Sequence, residues 1–217
     1  MKEFWEPIQL SITITIAAAF IVIIVGTLLG FLFARKSFRG KTIIETVLML
    51  PLVLPPSVIG FLLIIILGNQ SVIGKFIKYI FDQSIIFTWY AAVIAASVVA
   101  FPLMFQSAKA GFQSINRTLE EAAEDLGANR YQVFLRVSIP LAKKSLIAGS
   151  ILSTARALGE FGATLMFAGN IPGVTQTVPT AIYMAIDGGD MTLAWLWVIS
   201  IMLLSFFLLF FVRTKER

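Results

Sequence analysis

Five long apolar stretches constrain what this chain can fold into. A helix that crosses a bilayer needs about 20 apolar residues. Stretches of at least that length occur at 8–34, 42–67, 85–108, 141–167 and 193–212. Only 13% of the residues are charged, about half the share of a soluble domain. We therefore expect an all-α, polytopic membrane bundle of about five spanning helices in the cell membrane, built as one transmembrane domain over residues 7–210.

The positions of Lys and Arg predict the orientation of the bundle. Thirteen of the 17 basic residues lie in segment 35–41, in segment 109–144 and in the tail after residue 212, while three lie on the opposite side. Because basic connections stay in the cytoplasm, we expect the N-terminus outside, the C-terminus inside and the connection 168–191 outside. This placement also accounts for the net charge of +5 without a nucleic-acid partner.

The absence of two residue types limits the chemistry of the chain. There is no Cys and no His, which excludes disulfides, imidazole metal sites and every Ser-His-Asp or Cys-His nucleophile. We therefore expect no catalytic residue, no metal site and no cofactor of its own in this chain.

The cytoplasmic connection 109–140 carries the most specific local pattern. Thr118 and Glu121 have the spacing of a capping box, and Gly127 stands where a helix end with positive φ favours glycine. Between them a short amphipathic helix is expected, with an apolar stripe at Leu119, Ala122, Ala123 and Leu126. Such a stripe either packs under the chain's own bundle or docks on another protein.

The same connection resembles the EAA signature of bacterial ABC-importer permeases. That pattern is E-A-A, three residues, G, nine residues, a branched apolar residue, one residue and then L-P. The matching residues are Glu121, Ala122, Ala123, Gly127, Val137, Ile139 and Pro140. Val at 137 and Ile at 139 are mild departures from the usual Ile and Leu.

This resemblance implies a coupling helix that inserts into a cytoplasmic ATPase. The chain contains no G-x-x-x-x-G-K-[ST] pattern, so ATP and Mg²⁺ would be bound by a separate chain. The family's architecture implies two ATPase subunits, a second copy of this chain, surrounding lipid and an extracytoplasmic binding protein. The alternative from another class is a stand-alone secondary transporter or channel, which predicts an inverted repeat and leaves the signature unexplained.

Two features inside the spans indicate a transport pathway. Pro51, Pro55 and Pro56 break the second stretch, either because it lines a route or because it is a kinked, packed helix. Arg156 and Glu160 lie four residues apart in the fourth stretch, where a charge costs about 3 kcal/mol. They form either an internal ion pair or a source of positive potential along an anion route.

The run from Arg156 to Tyr183 resembles the oxyanion branch of these permeases. From Arg156 to Asn170, followed by Ile171, Pro172 and Gly173, it resembles the molybdate permeases most closely. Sulfate permeases share Arg156 to Ala163 but resemble the segment after Gly169 less well. The resemblance implies import of molybdate, with tungstate and sulfate or thiosulfate as alternatives. Thr164 and Asn170 are further candidates for the pathway. In 168–191, a short helix is expected with Pro179 in its first turn, whether that segment re-enters the membrane or forms an outer loop.

Overall fold

The computed structural model describes residues 2–215, with side chains for residues 3–210. Within those residues it contains helices and no strand, which confirms the predicted all-α membrane bundle. Of the basic tail, Arg213, Lys215 and Arg217 lie outside the described side chains. The helices are α1 (Lys2–Arg35), α2 (Lys41–Val53), α3 (Pro56–Leu67), α4 (Val72–Phe81), α5 (Trp89–Gln113), α6 (Arg117–Asp125), α7 (Arg130–Val133), a π segment (Phe134–Ser138), α8 (Ile139–Leu158), α9 (Gly162–Phe167), α10 (Val178–Asp187) and α11 (Met191–Lys215).

Helix α5 forms the centre of the bundle, between α1 and α8. Small residues on all three helices let their backbones approach closely. A β-carbon added to Gly26 of α1 would lie 2.7 Å from Cγ of Met104, and one added to Gly149 of α8 would lie 2.6 Å from Cβ of Ser107. Close contact at small residues is how helices associate within a membrane, where hydrophobic burial does not drive them together.

The spanning helices differ from the five that the sequence predicts. Among the described residues, three continuous helices are long and apolar enough to cross a bilayer, at 3–35, 89–113 and 191–210, and α3 with α4 forms a fourth candidate bent by 64°. The five predicted spans therefore correspond to three continuous helices and two broken runs. Helix α5 also begins four residues later and ends five residues later than its predicted span. The predicted orientation stays a prediction.

The two broken runs are the second and fourth predicted spans. Stretch 42–67 divides between α2 and α3 because Pro55 and Pro56 lack the N–H groups that a continuous helix needs. Leu54 is extended there, with ψ of 142°. Stretch 141–167 divides at 159–161, where the chain leaves the helical conformation before α9 begins. Neither stretch is the single helix that its hydropathy suggests.

Helix α10 confirms the short helix predicted within 168–191, with Pro179 in its first turn. It packs against the start of α1 and of α11, where the Val178 N–H donates to Oγ of buried Ser11 at 2.8 Å. Trp197 of α11 is buried and donates from Nε1 to the Phe4 carbonyl at 3.1 Å. This end of the bundle, the α10 end, lies at the opposite end of α1 from α6.

Candidate functional site

Helix α6 begins two residues earlier than the sequence predicts. Oδ1 of Asn116 accepts from the backbone N–H of Thr118 at 3.1 Å and from its hydroxyl at 2.7 Å. Asn116 is therefore the N-cap, and the predicted capping box of Thr118 and Glu121 is wrong. The carboxamide of Asn116 already satisfies the first turn, which is the role that the Thr118 hydroxyl was expected to fill.

The end of α6 is formed as predicted by Gly127, whose φ is +90°. Its N–H donates to the Glu124 carbonyl at 2.9 Å, and the N–H of Ala128 donates to the Ala123 carbonyl at 3.0 Å. These two bonds are those of a Schellman motif, which needs a left-handed residue at this position. The turn lets α7 start almost at once, so that two short helices form one protruding corner.

Glu120 fastens this corner to the bundle. Its Oε1 accepts from Nη2 of Arg35 at 2.8 Å and from the hydroxyl of Ser138 at 2.6 Å, and its Oε2 lies 2.8 Å from Nε of Arg35 as an ion pair. Arg117 of the same helix donates to the carbonyl of Arg35 at 3.3 Å. Sequence reasoning missed Glu120, because nothing in a sequence pairs it with a residue 85 positions away.

Helix α7, the π segment and α8 follow one another without a gap, so the short helix after α6 continues directly into the fourth predicted span. Asn129 and Gln132 cap α7 reciprocally, at 2.9 Å in each direction. The π segment then joins α7 to α8. Of the predicted coupling residues here, Val137 and Ile139 are half-buried, whereas Pro140 is exposed in the first turn of α8. A π segment within an α-helix is often found at a functional position.

The remaining predicted coupling residues form the outer face of α6. Glu121 and Ala122 are exposed and Ala123 is half-buried. Leu119 is exposed as well, and Leu126 is 91% exposed. No residue of α6 is fully buried. The apolar stripe is thus not covered by the described part of this chain, which agrees with docking on another protein rather than packing under its own bundle.

The predicted pair Arg156 and Glu160 is an ion pair, with Nη1 and Oε2 at 2.7 Å. Glu160 is 2% exposed and its other oxygen accepts from the Ala163 N–H at 2.8 Å, which caps α9. The Arg156 side chain stays one-third exposed. Glu160 therefore has a structural role, while Arg156 keeps guanidinium donors toward open space. Thr164 is buried inside α9.

The break at Pro55 lies beside the break before α9. A β-carbon on Gly162 would lie 3.1 Å from Cβ of Pro56, and one on Gly60 would lie 3.0 Å from the Ala163 carbonyl oxygen. The start of α3 and the start of α9 thus meet. The structure brings the predicted Pro55, Glu160 and Thr164 into one region of interrupted backbone, where Pro55 itself is exposed.

Asn170 lies apart from that region, beyond the far end of α9. It is half-buried, and its Oδ1 is buried without a hydrogen-bond partner among the described residues. Within the same residues no three Asp or Glu side chains lie close enough together to hold a metal ion.

Comparison with known proteins identifies the family. Residues 26–217 match the family model described as the inner membrane component of binding-protein-dependent transport systems. The chain is 60% identical over 215 residues to a putative molybdenum transport system permease protein, YvgM, of Bacillus subtilis, covering 99% of this chain and 95% of that protein. It is 40% identical over 201 residues to the molybdenum transport system permease protein ModB of Escherichia coli K12, covering 92% and 88%.

A solved structure agrees with this assignment at the level of the fold. A bacterial alginate ABC transporter, in complex with an alginate pentasaccharide-bound periplasmic protein, matches all of this chain and 79% of its own with a TM-score of 0.80 and 17% identity. The long apolar helices, the exposed corner at α6 and these similarities agree with one another, and the chain belongs to the family of binding-protein-dependent transport system inner membrane components.

Proposed function

We propose that this chain is the permease subunit of an ATP-driven importer that moves molybdate across the cell membrane. The observation that carries the proposal is the 60% identity to a putative molybdenum permease over almost the whole of both chains. The resemblance of the run from Arg156 to Gly173 to molybdate permeases supports the same substrate. Sulfate and tungstate have the same charge and tetrahedral shape, so they are the competitors to test.

The corner of α6 and α7 is the proposed contact with a cytoplasmic ATPase. Its outer face joins an apolar stripe to the exposed carboxylate of Glu121, and small Ala122 allows a partner's backbone to approach closely. Glu120 holds the corner to Arg35 and Ser138, so a push on α6 is delivered to α1 and to the π segment. Two ATPase chains would supply all ATP and Mg²⁺ binding and the hydrolysis.

The transport route is proposed to run between this chain and a second copy of itself, past the region where α3 and α9 begin. There Arg156 supplies positive potential, and its pairing with Glu160 prevents a tight anion trap. An importer that receives its anion from an extracytoplasmic binding protein needs no strong site of its own. Asn170, whose carboxamide oxygen is buried without a partner among the described residues, is proposed to lie in the wall of the route.

Uptake of radiolabelled molybdate tests this proposal directly. Cells that lack their own system would express this chain with an ABC ATPase and an oxyanion-binding protein, with tungstate and sulfate as competitors. We expect ATP-dependent uptake that tungstate blocks and excess sulfate does not. Block by sulfate at equal concentration would move the chain to the sulfate branch. Uptake that persists with a hydrolysis-deficient ATPase would overturn the importer mechanism.

A further inference from the structure

Helix α4 is attached to the bundle at only a few points. It begins at Ser71, whose hydroxyl accepts from the Gly74 N–H at 2.8 Å, and it is bent by 64° from α3. Gly74 is its one buried residue, packed so closely on the carbonyl of Gly68 that a β-carbon would lie 2.0 Å from that oxygen. The glycine contact fixes the bend, and apart from Gly74 and half-buried Ile77 the residues of α4 are exposed.

The exposed surface of α4 has two opposite faces. At about 100° per residue, Val72, Phe76 and Ile80 follow one another along one side of the helix. Lys78 lies on the other side, about 160° around the helix from Phe76, and Lys75 lies between Lys78 and Val72. Val72 is 85% exposed and Phe76 is 62% exposed, so the described part of the chain leaves the apolar face uncovered. Both lysines are exposed too.

A cleft beside α4 adds a third feature. It has a volume of about 520 Å³ and opens between the end of α4 and the start of α5. Ile77, Phe81, Ile85 and Tyr90 form most of its wall, together with two polar side chains. The cleft therefore offers an apolar slot next to a basic helix face.

We propose that α4 is an interfacial helix that lies in the headgroup region of the bilayer and binds anionic lipid. The apolar face enters the boundary with the acyl chains, the cleft receives part of one acyl chain, and Lys75 and Lys78 contact the lipid phosphates. Large apolar residues opposite lysines, in a short helix of high amphipathicity, are the pattern of a helix that lies on a membrane. Tyr79, 88% exposed between the two faces, is of a type enriched at that depth.

The charges and the position of α4 favour the membrane over another protein as the partner of its apolar face. Helix α3 is a strongly apolar helix of a membrane bundle, and α4 continues it after four residues, so the apolar face of α4 stays near membrane level. Each lysine near an anionic surface contributes about 1 kcal/mol, or about fivefold in affinity. This proposal does not depend on the transported anion or on the ATPase.

Single cysteines test the two faces, because the chain has no Cys of its own. Phe76→Cys and Lys78→Cys would each carry an environment-sensitive fluorophore in full-length chain reconstituted in nanodiscs of phosphatidylcholine with phosphatidylglycerol. We expect nitroxide on the lipid acyl chain to quench the label at 76, and iodide in the water to quench the label at 78. Ile80→Cys replaces Phe76→Cys if that variant does not fold.

Three results would overturn the proposal. A label at 76 that iodide quenches places the face in water. A label at 76 that neither quencher reaches places it against protein, and a disulfide between two Phe76→Cys chains would identify a second copy. Equal quenching at 76 and 78 by the lipid nitroxide would mean that α4 crosses the bilayer instead of lying on it.

The lysines are tested by the choice of lipid. With the label at 76, nitroxide on phosphatidylglycerol is expected to quench more strongly than nitroxide on phosphatidylcholine, by up to about fivefold per lysine. Lys75→Gln with Lys78→Gln removes that preference. Lys143→Gln with Lys144→Gln, which removes the same charge from the α6 end of the bundle, leaves the preference at 76 unchanged. The proposal is contradicted if the preference for phosphatidylglycerol persists when Lys75 and Lys78 are replaced. It is also contradicted if the preference disappears when Lys143 and Lys144 are replaced.

Discussion

Helices α4 and α6 are two short amphipathic helices at opposite ends of α5, and they have opposite chemistry. The stripe of α6 is half alanine, and the helix carries three glutamates and one aspartate. The apolar face of α4 is made of Val, Ile and Phe, and its charges are two lysines. Small residues fit a partner's backbone groove, whereas large side chains opposite lysines fit a bilayer surface.

The two helices also differ in how they are held. Glu120 connects α6 to α1 and to the π segment through charge-assisted bonds of 2.6–2.8 Å. Helix α4 is held by chain continuity and the close contact at Gly74. A helix that transmits force needs stiff attachment, while a helix supported by lipid does not. Amphipathicity alone therefore does not predict the partner; side-chain size, charge sign and attachment do.

The largest expected effect is at the turn that ends α6. Gly127→Pro forces φ from +90° to about −65° and removes the N–H that donates to Glu124. We expect complete loss of ATPase co-purification and of uptake, with the chain still inserted in the membrane. Pull-down of the ATPase through a tag on this chain measures the loss.

Gly189→Pro is the matched control for that substitution. Gly189 also has positive φ, +78°, and donates its N–H to the Ile186 carbonyl, but it lies at the α10 end of the bundle. It is expected to leave ATPase co-purification intact. Equal loss in both variants would mean that Gly127→Pro acts through general misfolding rather than through the corner.

The next effect separates the two neighbouring glutamates of α6. Glu121 is exposed, and no ion pair or side-chain hydrogen bond joins it to other described residues, so its charge is free to face a partner. Glu121→Arg is expected to lower ATPase affinity about a hundredfold, since a reversed charge at an interface costs about 3 kcal/mol. The thermal unfolding midpoint of the purified chain should not change. Co-purification at the wild-type level would contradict docking through this face.

Much of this corner could be predicted from the sequence, because its signals are local. Three of its features lie within a few residues of one another: the positive φ of Gly127, the reciprocal caps of Asn129 and Gln132, and the apolar stripe of α6. Glu120 could not be found, because its partner Arg35 comes close only when α1 and α5 pack. The N-cap at Asn116 was missed because two good capping residues stand two positions apart.

The spans show the same limit. Hydropathy predicts α1, α5 and α11 as continuous helices, but it averages over the breaks at Leu54 and at 159–161. The first break has a local cause in two prolines. The second depends on Glu160, whose pairing and capping bonds form only in the folded chain. Hydropathy gives no sign of α4, because a ten-residue helix with two lysines is too short and too polar to register as a span.

A smaller effect is expected at the attachment of α6. Glu120→Gln keeps the shape of the side chain but leaves Arg35, which is 14% exposed, without a carboxylate. We expect a loss of about 2 kcal/mol, between the values for exposed and buried pairs. It should appear as a lower unfolding midpoint and as faster trypsin cleavage after Arg117. Glu124→Gln, an exposed carboxylate on the same helix, is the control and should change neither.

The smallest effect tests whether α6 and α4 are independent surfaces. One apolar residue of each is replaced by Gln, and both binding readouts are measured for both variants. Leu126→Gln removes the most exposed apolar side chain at the end of α6, and burial of a leucine in an interface is worth about 1.5 kcal/mol, or about tenfold in affinity. We expect about tenfold weaker ATPase binding, measured by titration of the ATPase onto nanodiscs, and unchanged quenching of a label at Ile80→Cys by lipid nitroxide. Phe76→Gln should do the reverse, with weaker lipid quenching at 80 and unchanged ATPase binding. If either substitution altered both readouts, the two helices would not be independent surfaces, and the division between a protein-facing and a lipid-facing end would have to be abandoned.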